Sequence, residues 1–585
     1  MQAREGIPAL GAFVLVSALG FDEGGYAATA WGWSAAAVLA VLAFLLARGA
    51  GRPAPLALVF TAALAALTAW ALASTLWSRD VTASVLEVER LFLYLAASSV
   101  FVLARSGRAL LAGGLGGATL LCGYGLARWL LGDPEIPLSA DPLAAERLSE
   151  PIGYANGVAA LAAMGLLLSL GFAARAGRVP AAVAAIPGPL LAATLYFTFS
   201  RGAWLALFVG LAVAVVVGPH RLQLATTASA LAAGSLAAVI AAHSLGASGI
   251  LAPVVVVLCA ASAGSILAVR AIRLEPPRWA RIAFAATLIG IPVVLAAAVL
   301  VRLGGPDGAY DAFKAAPSPV HAGGGSRVLS ASGSSRADYW RVAWRTYEDE
   351  PLLGAGAGAF ARSWLKERPI PQPVRDAHNL YLETLAELGP LGLLLLGVAL
   401  AAPFAARRSR WTPAAVGPYA AYLAHAAQDW DWELPAITIL ALACGAAQFV
   451  PRGSHRLARA SAVAPVILCG LVVFAYAGNR VLSTAVVRAD RGEGAARGPA
   501  RTARTLQPWS AEPWRVLGEA HLALAEDDAA RRSFRRGLEL DPDSWELWLG
   551  LGLANEGPVQ RAAWTRAASL NPLSPELREL GFISR

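Results

Sequence analysis

In a chain dominated by Ala, Leu, Val and Gly, four stretches collect the side chains that can do chemistry: "TFSRGAWLA" at 198–206, "SRADYWRVAW" at 335–344, "DAHNLYLETLAELGPLG" at 376–392 and "AHAAQDWDWELP" at 424–435. Arg201, Arg336 and His378 stand out in them by type. A guanidinium presents its N–H groups as a planar fork that grips phosphate oxygens bidentately and needs no metal to do so. An imidazole has an unperturbed pKa of about 6.5 and can take a proton near working pH. Polar residues at membrane depth, or just outside it, are expensive and are functional candidates by default.

The elements that must position these residues are membrane helices. The chain is 57% hydrophobic and 15% charged, with a mean hydropathy of +0.55, which places it outside soluble norms. Apolar runs near 7–21, 28–48, 55–75, 85–104, 107–131, 153–173, 180–198, 202–218, 222–243, 249–270, 281–302, 380–403, 412–428, 433–450 and 462–483 are mostly long enough to cross the hydrocarbon, giving about 14–15 transmembrane helices. The first run is short, but its acidic exit at Asp22 and Glu23 reads as a retained helix and not a removed signal peptide. Walking the short loops alternately sorts the charges. One set holds Arg48, Arg52, Arg108, Arg175, Arg221, Arg270, Arg407, Arg408 and Arg459, with only Glu5 and Glu275 opposing; the other is neutral or acidic, with Asp22, Glu23, Asp80, Asp429, Asp431 and Glu433, its few basic residues including Arg79, Arg147 and Arg201. The basic set is assigned to the cytoplasm. The loop 303–379 and everything after the last span then face outward.

The fold expected is all-α: a polytopic membrane helix bundle with N-terminal spans in 1–302, a long helical loop at 303–379, further spans in 380–485 and a small C-terminal domain at 486–585. The net charge of +9 is a topology signal, because the arginines are spread over many short loops and form no single patch. Nucleic acid is therefore not an expected partner. Cys122, Cys259, Cys444 and Cys469 fall within apolar spans with no CxxC pair, so neither a disulfide framework nor a zinc site is read. Beyond the last span a repeat emerges. Trp514, Leu517, Gly518, His521, Ala530, Phe534, Gly537 and Pro542 occupy tetratricopeptide positions, and a shortened copy follows with Trp548, Leu551, Gly552, Trp564, Ala567 and Pro572. Trp514 and His521 are read as packing residues, and the module as a docking surface for a protein partner.

Taken together, the polar stretches resemble the O-antigen ligase and O-antigen polymerase superfamily. The resemblance rests on Ser200-Arg201-Gly202 at a helix junction, Arg336 with Trp340, the run from Pro351 through Gly354, Gly356 and Gly358 to Phe360, and His378-Asn379-Leu380-Tyr381 with Glu387, Gly389 and Gly392. "LWSRD" at 76–80 and Asp429 resemble weaker family features, and the likeness covers most of 50–450; the repeats lie outside it. The resemblance implies a glycosyltransferase in the bacterial cytoplasmic membrane that takes a glycan from an undecaprenyl diphosphate carrier and joins it to an acceptor hydroxyl, on a lipid, glycan or protein, at the outer face. In that reading Arg201 and Arg336 stabilise the leaving diphosphate and His378 accepts the acceptor's proton. Arg341, Asn379, Tyr381 and Asp429 are assigned to substrate binding. No cofactor and no metal are assigned.

Each assignment has a structural rival. Arg201 could anchor a short turn, Arg336 and Arg341 lie on a charged helix face, and His378 sits where Asp376 is a plausible helix cap. Gly354, Gly356 and Gly358 are read as a flexible turn, because no strand precedes them as a dinucleotide fingerprint requires. Tyr154 and Asn156 are read as helix packing. At the level of the whole chain the competitors are a permease, which would show paired broken helices and midplane polar residues, and a scaffold in which the membrane part only anchors the repeats.

Overall fold

The computed structural model describes residues 3–104, 106–132, 147–218, 220–271, isolated positions between 277 and 298, 300–315, 333, 335–449 and 457–583. The span expected at 281–302 lies largely outside the described residues. The described residues are helical and include no strand. The first half contains α1 (Ala3–Phe21), α2 (Ala28–Ala47), α3 (Pro55–Ser74), α4 (Val81–Leu103), α5 (Gly107–Leu131), α6 (Ala155–Arg175), α7 (Arg178–Ala185), α8 (Pro187–Phe197), α9 (Arg201–Val217), α10 (Arg221–Leu245) and α11 (Leu251–Ala271). The long loop contains α12 (Gly305–Lys314), α13 (Arg336–Asp349) and α14 (Phe360–Glu367). The bundle resumes with α15 (Leu380–Ala405), α16 (Thr412–Ala426), α17 (Pro435–Ala446) and α18 (Val463–Asp490). Among the described residues nine helices are long and apolar enough to cross a membrane, α7 and α8 running on as one of them. Small residues let the helices close on one another: a Cβ at Gly171 would meet Ala414, and one at Gly210 would meet Leu167 and the Gly417 carbonyl.

The helices alternate in direction, so the bundle has two distinct ends. One carries the arginine-rich links: Leu457 N–H donates to Ala50 O at 2.8 Å, and the Arg108 guanidinium lies over the Trp411 ring. The other carries the four chemistry-bearing stretches. Two helices are short for a membrane. At 15 and 12 residues, α16 and α17 extend only about 22 and about 18 Å, against roughly 30 Å of hydrocarbon. Helices this short are expected to hold the turn joining them, 427–434, within the mouth of the bundle. That turn is also buried, with Asp429 2%, Asp431 0% and Glu433 8% exposed. Backbone and charge at such depth must be satisfied by protein, and this turn is where the site is built.

Beyond α18 come α19 (Arg497–Leu506), α20 (Glu512–Leu522), α21 (Asp527–Leu540), α22 (Trp545–Leu553), α23 (Gly557–Leu570) and α24 (Pro575–Glu579). These pair as the repeat pattern requires. Phe534 fills the space left by Gly518 and Gly550, and Trp564 that left by Gly552. His521, 8% exposed, places Nδ1 2.6 Å from Glu526 Oε2, a packing position as its place in the repeat foretells.

Candidate functional site

Four helices begin at the recessed mouth. Tyr154 is the N-cap residue of α6, Arg201 is the first residue of α9, Arg336 is the first of α13, and Asn379 caps α15 directly after His378. The caps explain why the helices start there. Ser200 Oγ accepts from Ala203 N at 3.4 Å, and Asn379 Oδ1 accepts from Tyr381 N and Leu382 N at 3.1 Å each. Each such terminus points unpaired N–H groups and a positive dipole end outward.

Asp429 ties two of these helices together. Its Oδ2 accepts from Arg336 Nη2 at 2.9 Å and Asn156 Nδ2 at 2.7 Å; its Oδ1 accepts from Tyr154 Oη at 2.6 Å and Trp430 N at 3.0 Å. Burial works against the Asp429 charge, but Arg336, His378 and His425 more than offset it and hold the carboxyl down at about 2. With four donors on two oxygens, Asp429 is saturated; its work is to aim Arg336. That guanidinium also donates through Nε to Gln428 O at 2.5 Å and through Nη1 to Gly333 O at 3.3 Å. Three of its five N–H groups are thereby used among the described residues, which leaves two. Gln428 then reaches the third helix, donating from Nε2 to Gly202 O at 3.3 Å beside Arg201. Arg147 completes this side, bonding Thr198 O at 2.7 Å and Asn156 Oδ1 at 2.5 Å.

His378 faces the same mouth. Its backbone is left-handed, with φ 55°, an uncommon state outside glycine that marks functional sites often enough to be noted. Nδ1 lies 3.1 Å from Asp376 O, so that nitrogen carries the proton and Nε2 keeps its lone pair. The ring stacks 4.9 Å from Tyr339 and lies 6.4 Å from Trp430. Burial pushes the imidazole down to about 4, Asp429 opposing and Arg336 adding to the effect. It is neutral at physiological pH.

The sequence-chosen residues separate into two groups. Arg336, His378 and Asp429 meet at the mouth, and Gln428 brings the start of α9, where Arg201 stands, alongside them. Arg341 pairs with Asp338 at 2.8 Å on the half-exposed face of α13, the side chain of Asn379 is spent on its cap, and Tyr381 donates to Leu423 O at 2.9 Å across to α16. The glycine run is tightly packed and not flexible: Glu387 accepts from Gly358 N at 2.8 Å and Phe360 N at 3.0 Å, and a Cβ on Gly356 would fall 2.3 Å from Ser78 Oγ. Sequence reasoning missed Gln428 and Arg147 as members of the site, and set Tyr154 and Asn156 aside as packing. Asp376, Glu383 and Glu433 bring carboxylate oxygens within 4.8 Å of one another, but Glu433 is paired with the buried Arg90 and Glu383 accepts the Ala377 N–H.

Fold and site thus define a multi-pass α-helical membrane protein with an arginine- and histidine-bearing mouth and a repeat module at the same end. Over residues 236–397, the segment that carries Arg336 and His378, the chain matches the family model described as O-Antigen ligase; over 511–554 it matches that described as Tetratricopeptide repeat. These matches bear out the resemblance drawn from the motifs and support a membrane function of ligase or polymerase type. Arg201 and Asp429 lie outside the first matched segment. No curated protein matches the chain.

Proposed function

We propose that this protein is a membrane glycosyltransferase that moves a glycan from undecaprenyl diphosphate to an acceptor hydroxyl at the outer face of the cytoplasmic membrane. The observation that carries the reading is the convergence of helix N-termini and an aimed guanidinium on one recessed mouth, beside an imidazole whose Nε2 holds a lone pair. Nε2 of His378 takes the acceptor's proton as its oxygen attacks the anomeric carbon. The bond from that carbon to the diphosphate oxygen breaks, and its electron pair leaves on the diphosphate. The growing charge is met by the two unused N–H groups of Arg336, by Arg201 and by the helix N-termini. Guanidiniums do here what a divalent ion does elsewhere, so no metal is assigned a step. Polysaccharide polymerisation and protein O-glycosylation are the same chemistry with a different acceptor.

Purified protein given a lipid-diphosphate glycan and a panel of acceptors should yield a glycosylated product identifiable by mass. Arg201→Ala, Arg336→Ala and His378→Ala should each lower turnover roughly a hundredfold or more while the yield of folded protein holds, and excess chelator should leave turnover intact. Near-normal turnover in Arg336→Ala or His378→Ala, or activity restored only by added divalent metal, would overturn the assignment.

A further inference from the structure

Besides the apolar packing of α19 and α20 on α18 through Ala485, Ala500, Val516 and Leu517, the repeat module meets the rest of the chain through one recurring turn. Gln507-Pro508-Trp509-Ser510, Asp541-Pro542-Asp543-Ser544 and Asn571-Pro572-Leu573-Ser574 are equivalent positions in successive repeats. In the second and third, the Ser caps the next helix, accepting from Leu547 N at 3.3 Å and Leu577 N at 3.2 Å. The first residue of each turn is left to face outward, and in all three it binds something outside the module. Gln507 donates to Asn479 of α18 at 2.5 Å. Asp541 takes both ends of the Arg362 guanidinium, one at 2.6 Å. Asn571 Oδ1 accepts from Arg368 Nη2 at 2.9 Å. The turns are enclosed, with Gln507 4%, Asn571 1% and Arg368 6% exposed.

The arginines belong to α14 and its end, in the long loop. Arg362 also donates to Asp80 at 2.8 Å, the residue that caps α4, so one guanidinium joins loop, bundle and repeats. Between its two arginines this segment carries Trp364, fully buried, edge-on to Tyr339 with ring centres 4.9 Å apart. Tyr339 in turn stacks on His378. A continuous packed path runs from the repeat turns to the imidazole.

We propose that Asp541 and Asn571 form an intramolecular docking edge whose partner is the polar segment of this same chain, with Gln507 tying the first turn to α18, and that Arg362 and Arg368 are positioning residues for His378. The docking stands on geometry alone; the positioning of His378 rests on the glycosyltransfer reading.

The test uses the full-length protein. Asp541→Asn keeps the shape and removes the charge, and Asn571→Ala removes the acceptor for Arg368. In the double variant, hydrogen exchange of the amides in 360–372 should speed up about tenfold or more. Turnover of a lipid-diphosphate glycan should fall several-fold with the donor KM held, and Asp541→Glu in place of Asp541→Asn should restore most of it. Unchanged exchange overturns the docking edge. Faster exchange with wild-type kcat overturns the positioning role. If the wild-type protein transfers no glycan, the glycosyltransfer reading fails and the positioning role with it, while the exchange measurement still decides the docking.

Discussion

His378 is the residue in which strain, burial and hydrogen bonding agree. The left-handed backbone turns its ring back toward Asp376 O, which fixes the tautomer, and the rings of Tyr339 and Trp430 cover part of the half-buried side chain. An ordinary histidine would be half protonated at about pH 6.5 and useless as a base below it. Here burial lowers the value to about 4, with Asp429 opposing, so the imidazole stays neutral through mildly acidic conditions. If His378 is the base of the proposed transfer, turnover should therefore run flat from pH 8 to about pH 5.5 and fall with a midpoint near 4, which an assay in constant-ionic-strength buffers reads directly; a midpoint near 6.5 would contradict that role. Stability follows the same sign. The unfolded chain takes up this proton first, so the group costs nothing above about pH 6.5, and stability drains away as pH falls from there toward 4.

At the scale of elements, the motifs were legible because each is a local device at a helix start. Ser200 capping α9 and Asn379 capping α15 are written in adjacent residues, as is the run of glycines. What stayed hidden is contact between distant segments. Nothing local to Tyr154 and Asn156 tells that their polar atoms end on Asp429, and nothing in "AHAAQDWDWELP" tells that the Gln428 backbone, and not its side chain, receives Arg336. The glycine run was read as a flexible turn; that it is a closely packed one was hidden because its partners, Ser78 and Glu387, come from elsewhere in the chain. Gly356 has φ 101°, and a Cβ there would lie 2.3 Å from Ser78 Oγ and 2.6 Å from its Cα. That clash is with backbone and cannot be relieved by a rotamer change. Gly356→Ala should thus cut the yield of monodisperse protein in detergent sharply, whereas Gly397→Ala, in α15 with nothing within 4 Å, should leave it unchanged. Equal yields would mean that the loop adapts and that its glycines serve another purpose.

For the molecule as a whole, charge patterning foretold two ends, and the alternation of the described helices keeps the arginine-rich links at one and the site at the other. The repeats, read as a surface for a partner, also have their turns docked on the chain itself, because a periodic motif announces a module and says nothing of which edge it spends. Which end faces outward is a separate question that composition answers through the positive-inside bias: the end bearing Arg48, Arg108, Arg221, Arg407 and Arg408 should be cytoplasmic. That orientation fits the chemistry, since a diphosphate-linked glycan used at the outer face must meet the mouth from that side. Single cysteines at Lys366 and Glu556, both exposed, report the site end and the repeats; one at Arg408, also exposed, reports the opposite end. In a background lacking the four native cysteines, an impermeant thiol reagent applied to intact spheroplasts should label the first two and spare the third until lysis. Labelling at Arg408→Cys with protection of the other two would invert the protein in its membrane. In that event the mouth could not meet its donor or acceptor at the outer face, however well its residues are arranged.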